Sequence, residues 1–337
     1  MATLKTTYMG LELKNPLIVG ASPLTSDLDI LKAIEKAGAG AIVFKSLFEE
    51  QIQLEELEMQ NELDEYTERH AEMIRLFPNL EHAGTKDHLY KLKQAKENIK
   101  IPIIASLNAM HPDTWVEYAK EIEKTGVDGI ELNFYTTPKD FDVEGKAIIQ
   151  SQLDILQSVR KELKIPICVK LSPFYTNPLD VIKKMDSKEV QSFVIFNRMF
   201  QPDIDIEKEE LIQSLVLSNS SDSRQTLQFT GLLYGNIAAD ICGCSGIMNG
   251  ADAIKMLLAG ATTFEVVSTI YQNGVGQITT IIKELDTWMN EKGYKSIEDF
   301  RGKLAKKNLK DPFAYRRAQY IEILMRTNEV VRKTKLT

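Results

Sequence analysis

The chain has 337 residues, 43% hydrophobic and 26% charged, with 41 Lys and Arg against 48 Asp and Glu and a formal net charge of −7. That length buries a large core without needing a second domain, and the basic residues are spread along the chain rather than gathered into a stripe, which argues against a nucleic-acid partner. No apolar run approaches the roughly 20 residues a bilayer span needs, and the start, MATLKTTYMGLELKNP, lacks a signal-peptide core, so the cytoplasm is the expected location.

In chain order, Thr7 to Leu13, with Met9-Gly10 at its turn, reads as a small hairpin closing a barrel bottom. Eight short, mostly apolar runs follow: NPLIVGAS from Asn15, AIVFKS from Ala41, IPIIASL from Ile101, GIELNF from Gly129, IPICVKLS from Ile165, SFVIFN from Ser192, ADICGCSG from Ala239 and TFEVVST from Thr263. Helical periodicity lies between them, over Asp27 to Ala37, Asp113 to Thr125, Lys146 to Leu163 and Gly276 to Lys292 among others. This alternation predicts a parallel sheet covered by helices. The runs turn polar at their C-terminal ends, at Ser22, Lys45, Ser106, Asn133, Lys170, Asn197, Ser245 and Ser268. The expectation is an α/β fold, a closed (β/α)8 TIM barrel forming one domain over residues 1–337 with a site at its top face. A doubly wound open sheet is the alternative.

Two segments break the rhythm. Glu49 to Phe77 is a long acidic, helix-prone excursion, and Met199 to Tyr234 inserts about 36 residues, of which LVLSNSSDSRQTLQF reads as a hairpin. Loops of that length in a compact barrel are usually functional covers, although a solvated helix is the plainer reading of the acidic run. Near the end, within a helical extension over about 296–332, DPFAYRRAQYIEILMR reads as an amphipathic helix packing on the outside or on a partner subunit. The three cysteines, Cys168, Cys242 and Cys244, are too few for a disulfide framework and badly spaced for a metal, so they are expected as buried or strand-end thiols.

The richest stretch is CGCSGIMNGADAIKMLLAGATTFEVVST, Cys242 to Thr269. GCSG is a turn of small residues with exposed N–H groups, Asn249 caps a helix over Gly250 to Leu258, and Gly260 ends it. Turn amides beside a helix N-terminus favour a dianion, and barrels often bind phosphate after their seventh and eighth strands. An ordinary βαβ unit with a glycine-lined turn is the structural alternative. Lys45 and Lys170 stand in strands otherwise built from apolar residues, where a lysine finds an anion or loses its proton. Such a lysine is an imine-forming base, a fixed cation beside a cofactor, or the partner of a carboxylate such as Glu131.

Over residues 3–300 the motifs resemble the FMN-dependent dihydroorotate dehydrogenases, in particular their soluble class 1 branch. ASPLTSD is similar to the family's first flavin-contacting turn, AIVFKS and CVKLSP to its two lysine segments, and GIELNF to its E-L-N strand. VIFN resembles its asparagine segment, GLLYGN its glycine-rich loop, Cys242 to Thr269 its phosphate cradle, and GYKSIEDFRGKL its C-terminus. The resemblance implies FMN as cofactor, with Lys170 against the edge of the flavin ring, Asn133 and Asn197 on the flavin or a stacked ligand, and Lys45 beside the reacting face. It implies Ala21, Ser22, Ser46 and Ser106 around the cofactor, and Gly235, Ser245, Gly246, Ser268 and Thr269 around its phosphate. It further implies pyrimidine biosynthesis, a homodimer, and any iron–sulfur electron-transfer partner as a separate chain.

The departures gather around the substrate. The family removes a carbon-bound proton with Cys or Ser in an N-x-S-[CS]-P-N loop, which here reads NFYTTPKD and leaves Thr136 or Thr137 as the base. Of the family's N-S-M-G-L-P-N loop only Pro78 and Asn79 survive, in MIRLFPN, and Arg198 stands where the family has a small residue. Besides dihydroorotate oxidation, the sequence leaves open an FMN enzyme of another small substrate, a phosphate-binding barrel lyase or isomerase, and a non-catalytic flavin-binding protein.

Overall fold

The computed structural model describes residues 2–50, 83–109, 111–135, 141–198, 202–212 and 216–325. It opens with the hairpin β1 (Thr6–Tyr8) and β2 (Leu11–Leu13), turned by Met9 at φ 55° and Gly10 at φ 79°, the paired left-handed conformation of a tight two-residue hairpin turn. Then β3 (Leu17–Val19), α1 (Leu28–Ala37) and β4 (Ala41–Phe48) lead to α2 (Ala83–Asn98), β5 (Ile103–Asn108), α3 (Pro112–Lys124) and β6 (Gly129–Phe134). After these come α4 (Gly145–Glu162), β7 (Ile167–Leu171), α5 (Pro178–Asp186), β8 (Ser192–Ile195) and the small hairpin β9 (Asp203–Asp205) and β10 (Glu210–Ile212). The chain continues through α6 (Ser223–Leu233), β11 (Asp240–Gly243), α7 (Gly250–Ala259), β12 (Thr263–Val266), α8 (Ser268–Asn273), α9 (Gln277–Lys292) and α10 (Ala318–Met325).

Eight parallel strands close into a barrel in the order β11-β12-β3-β4-β5-β6-β7-β8, which is the expected (β/α)8 TIM barrel and excludes the open sheet. Successive strand residues point to opposite faces, so the apolar strands feed two separate cores. Leu17, Val19, Ile42, Phe44, Ile103 and Phe264 face outward and pack against the helices. Ile18, Val43, Ile104, Cys168, Val194 and Cys242 face inward and meet Tyr8 and Met9 of the hairpin. The hairpin closes the lower end: Met9 N–H donates to Asp240 at the start of β11 (2.9 Å).

One expectation is corrected. LVLSNSSDSRQTLQF does not form a hairpin; the hairpin lies earlier, in β9 and β10, and this segment supplies a capped turn and α6. Asn219 accepts from Ser221 N–H and starts the turn, and Thr226, Thr230 and Leu233 then form a buried helical stripe. The second half of the supposed insertion is therefore the crossover helix between β8 and β11. Of the acidic excursion only Glu49 and Glu50 fall within the described residues, and the tail beyond Met325 also lies outside them.

Candidate active site

Above the apolar interior, the next inward positions of the strands are polar. Lys45 on β4, Ser106 on β5, Glu131 on β6, Lys170 on β7 and Glu265 on β12 continue the alternation set by Val43, Ile104, Gly129, Cys168 and Thr263. Over this layer, at the C-terminal strand ends, opens a cavity of about 420 Å³, a size suited to a small molecule, for which about 300–1,000 Å³ is usual.

The floor is held by buried charge. Lys170 Nζ donates to Glu265 Oε2 at 2.7 Å and stands 3.7 Å from Glu131 Oε2. Ser106 donates to Glu131 Oε1 (2.9 Å), and Ser46 and Ser106 share a 2.7 Å hydrogen bond. Burial by itself lowers the lysine's pKa, but the two carboxylates outweigh it and hold Lys170 well above its ordinary range. Burial pushes Glu131 up to about 8; Lys170 and the Ser106 hydroxyl oppose that rise and Glu265 adds to it. The carboxylates that hold the ammonium protonated disfavour the free amine that imine formation needs.

One end of the cavity is a hydroxyl and amide cradle. Ser218 donates through its backbone N–H (3.0 Å) and its hydroxyl (2.9 Å) to Ser268 Oγ, and Gly246 N–H donates to Ser218 Oγ (3.3 Å). Ser245 and Gly246 are both left-handed, φ 75° and 73°. A Cβ on Gly246 would lie 2.4 Å from Ser223 N and 2.7 Å from Asn219 O, so only glycine lets the turn before α6 close over this loop. Also in the cavity wall, Asn197 Nδ2 donates to Asn133 Oδ1 (2.8 Å), and Tyr135, Phe48 and Tyr271 line the same cavity.

Most of the sequence-derived positions converge here. Ala21, Ser22, Lys45, Ser46, Asn133 and Lys170 line the cavity, as do Asn197, Arg198, Ser245, Gly246 and Ser268. Ser106 lies fully buried just beneath, and Thr269 lies behind, donating to Met248 O (2.9 Å). Gly235 is not brought to the cavity. It follows α6 at the lower end, before β11 begins, with its Cα facing Lys307, because a residue ahead of a strand sits at the opposite end from one behind it. Arg198 already holds a carboxylate, that of Asp222 at 2.6 Å. Thr136, Thr137 and Asn79 lie outside the described residues.

The family model described as Dihydroorotate dehydrogenase matches residues 3–289. The chain belongs to the dihydroorotate dehydrogenase family. It is 28% identical to the "Dihydroorotate dehydrogenase B (NAD(+)), catalytic subunit" of Thermoplasma volcanium, over 90% of this chain and 98% of the relative. It is 27% identical to the protein of the same name from Methanocaldococcus jannaschii, over 89% and 97% of the two chains. It is 29% identical to the "Dihydroorotate dehydrogenase A (fumarate)" of Lactococcus lactis subsp. cremoris, over 89% and 99%.

Among the residues of this family member's cavity that escape the sequence reading, Ser218 and Glu265 hold its polar network together. Ser218 lies in the segment whose pattern predicts a hairpin, where the N-S-S-D-S capping pattern is the available signal. Glu265 sits in the middle of TFEVVST, and a lone acid in a strand of otherwise apolar and hydroxyl residues was its signal. Among the described residues no helix is long and apolar enough to cross a membrane.

Proposed function

We propose that this chain is an FMN-dependent oxidoreductase that converts dihydroorotate to orotate in pyrimidine biosynthesis. The observation that carries this reading is the convergence of polar residues from separate strand ends on one cavity, with a protonated lysine at the floor and a hydroxyl cradle at one end. The donor set fits FMN. Ser218, Ser268 and the Gly246 amide suit a phosphate, Ala21, Ile247 and Val267 offer apolar walls to a flat ring, and Lys170 with the two asparagines offers polar edges. When bound, FMN supplies the two-electron acceptor for oxidation of a CH–CH bond.

The protein's own groups would then act as follows. Lys170, kept cationic by Glu131 and Glu265, presents fixed positive charge where negative charge develops, without reorganising at the moment of reaction. The Asn197–Asn133 hydrogen bond sets both amides, leaving the Asn133 NH2 and the Asn197 carbonyl to orient a ligand. Lys45 also lines the cavity. The carbon-bound proton is assigned to Thr136 or Thr137, which follow the cavity residue Tyr135 in sequence. We further assign a cytoplasmic homodimer, with re-oxidation through an electron acceptor outside this chain.

The test is the visible spectrum of the purified protein, followed by dihydroorotate without oxygen. A flavin band that bleaches on addition is the expected result. A yellow protein that dihydroorotate leaves oxidised would sink the substrate assignment and keep the cofactor. A colourless protein that cannot be reconstituted with FMN would sink both.

A further inference from the structure

The barrel interior contains a chain of hydrogen bonds and ion pairs that positive charge beside a flavin does not by itself require. It runs from the cavity wall at Ser46 through Ser106 to Glu131, and on to Lys170 and Glu265, which line the cavity again. Glu131 is wholly buried and Glu265 is 2% exposed. Gly20, just after β3, leaves room for the Glu265 side chain; a Cβ there would lie 2.9 Å from its Oε2. Two buried carboxyl groups thus face one lysine. Glu131 Oε1 is satisfied by Ser106, yet Oε2 accepts no hydrogen bond although it is fully buried. An oxygen in that state, beside a second carboxylate, is where a shared proton belongs.

We propose that Glu131 and Glu265 hold one proton between them and take up a second when the group bound in the cavity gains negative charge. Glu265 is on this view a positioning residue, since its carboxylate neutralises Lys170 until that charge arrives. The second part rests on the FMN reading; the first does not.

The groups facing the pair leave Lys170 as its cation. Cys168 on β7, Cys242 and Cys244 at β11 and Tyr8 of the hairpin also surround it, and burial raises the pKa of each, so all four are neutral near pH 7. In the resting state Lys170, one carboxylate and one carboxylic acid sum to zero charge. FMN held there would supply one negative charge on taking up two electrons and one proton, and Lys170 would be the cation to meet it. Glu265 loses its counter-charge, accepts the proton from Glu131 Oε2, and Glu131 is reprotonated at Oε1 by Ser106. The Ser106 hydroxyl recovers its proton from Ser46, and Ser46 from hydronium or a buffer acid reaching the cavity from bulk solvent, so each O–H bond broken is matched by one formed.

Two measurements decide the matter. In the ligand-free protein, infrared spectra with carboxyl-13C-glutamate should show a labelled carboxylic-acid C=O band near pH 6 that fades as the pH passes about 8 and is missing in Glu131→Gln. No such band in the wild type would overturn the shared proton, whatever becomes of the flavin reading. In the FMN-loaded protein, chemical reduction in weak buffer with a pH dye should consume about two protons per two electrons near pH 7. Glu131→Gln/Glu265→Gln/Lys170→Arg, whose guanidinium stays charged without the carboxylates, should consume about one. Equal uptake by the two proteins would overturn the proton-coupled role. A protein that takes no FMN defeats the functional reading and the coupled role together, while the infrared result still stands on its own.

Discussion

Glu131 combines burial, a nearby cation and a nearby carboxyl group, and its titration gives the direction of a stability effect. Its folded pKa of about 8 stands above the ordinary 4.5, so between these values the folded chain holds a proton that the unfolded chain has lost. Stability therefore falls as pH rises through that window and levels off above it. Glu131→Gln removes this proton, so the melting-temperature advantage of the wild type over the variant should shrink steadily from pH 5 to pH 8. Parallel melting curves across that range would show that Glu131 is ionised in the fold. Lys170, Asn133 and Asn197 were legible in the sequence because a single polar residue ending an apolar strand must serve something at that end. Glu265 was less legible because its partners, Lys170 and Glu131, lie on strands distant in sequence, and barrel closure brings them together.

At the scale of elements, the strands and most helices follow from local pattern, and the hairpin misreading shows where pattern is insufficient. Polar, β-prone residues in LVLSNSSDSRQTLQF mask a helix whose buried stripe includes two threonines, Thr226 and Thr230. The stripe is stabilised by a tertiary partner: Thr226 donates to Cys244 O (2.8 Å). The turn before this helix also carries Ser218. Asn219→Ala removes the cap on Ser221 N–H and should lower stability by about 0.5–2 kcal/mol, with weaker FMN retention in equilibrium dialysis. Unchanged retention would separate the cradle from the turn. A second element-level effect concerns α2, where His88 packs edge-on against Phe44 of β4 at 5.4 Å. Burial, aided by nearby Lys45, lowers its pKa from 6.5 to about 4. The unfolded chain gains a proton there first as pH falls, so stability should drop between pH 6.5 and 4, by at most about 1.4 kcal/mol per pH unit. In His88→Phe this acid sensitivity should be reduced in denaturant titrations, and an unreduced loss would place the sensitivity elsewhere.

Across the whole molecule the two barrel ends are built for different purposes, and this separation can be measured. The lower end is closed by the hairpin, where Asp240 accepts from Met9 N–H at 2.9 Å and from the Thr262 hydroxyl at 3.0 Å. No cavity-lining residue belongs to this contact. The upper end carries Ser268, which accepts twice from Ser218 and lies at the cavity wall. Asp240→Ala strands the buried Met9 N–H and should cost about 1–3 kcal/mol, read as a fall of a few degrees in Tm with FMN affinity unchanged. Ser268→Ala should weaken FMN binding about tenfold, the equivalent of roughly one hydrogen bond, beyond the fall in Tm that the stranded Ser218 N–H brings to the ligand-free protein. The eight-strand order that makes this division was legible from the alternation of runs, since parallel strands joined by helices place all their C-terminal ends together. If Asp240→Ala lowered FMN affinity as much as Ser268→Ala, the apolar interior between Ile18 and Cys242 would be transmitting strain from one end to the other. Closure and binding would then have to be treated as one cooperative property of the barrel.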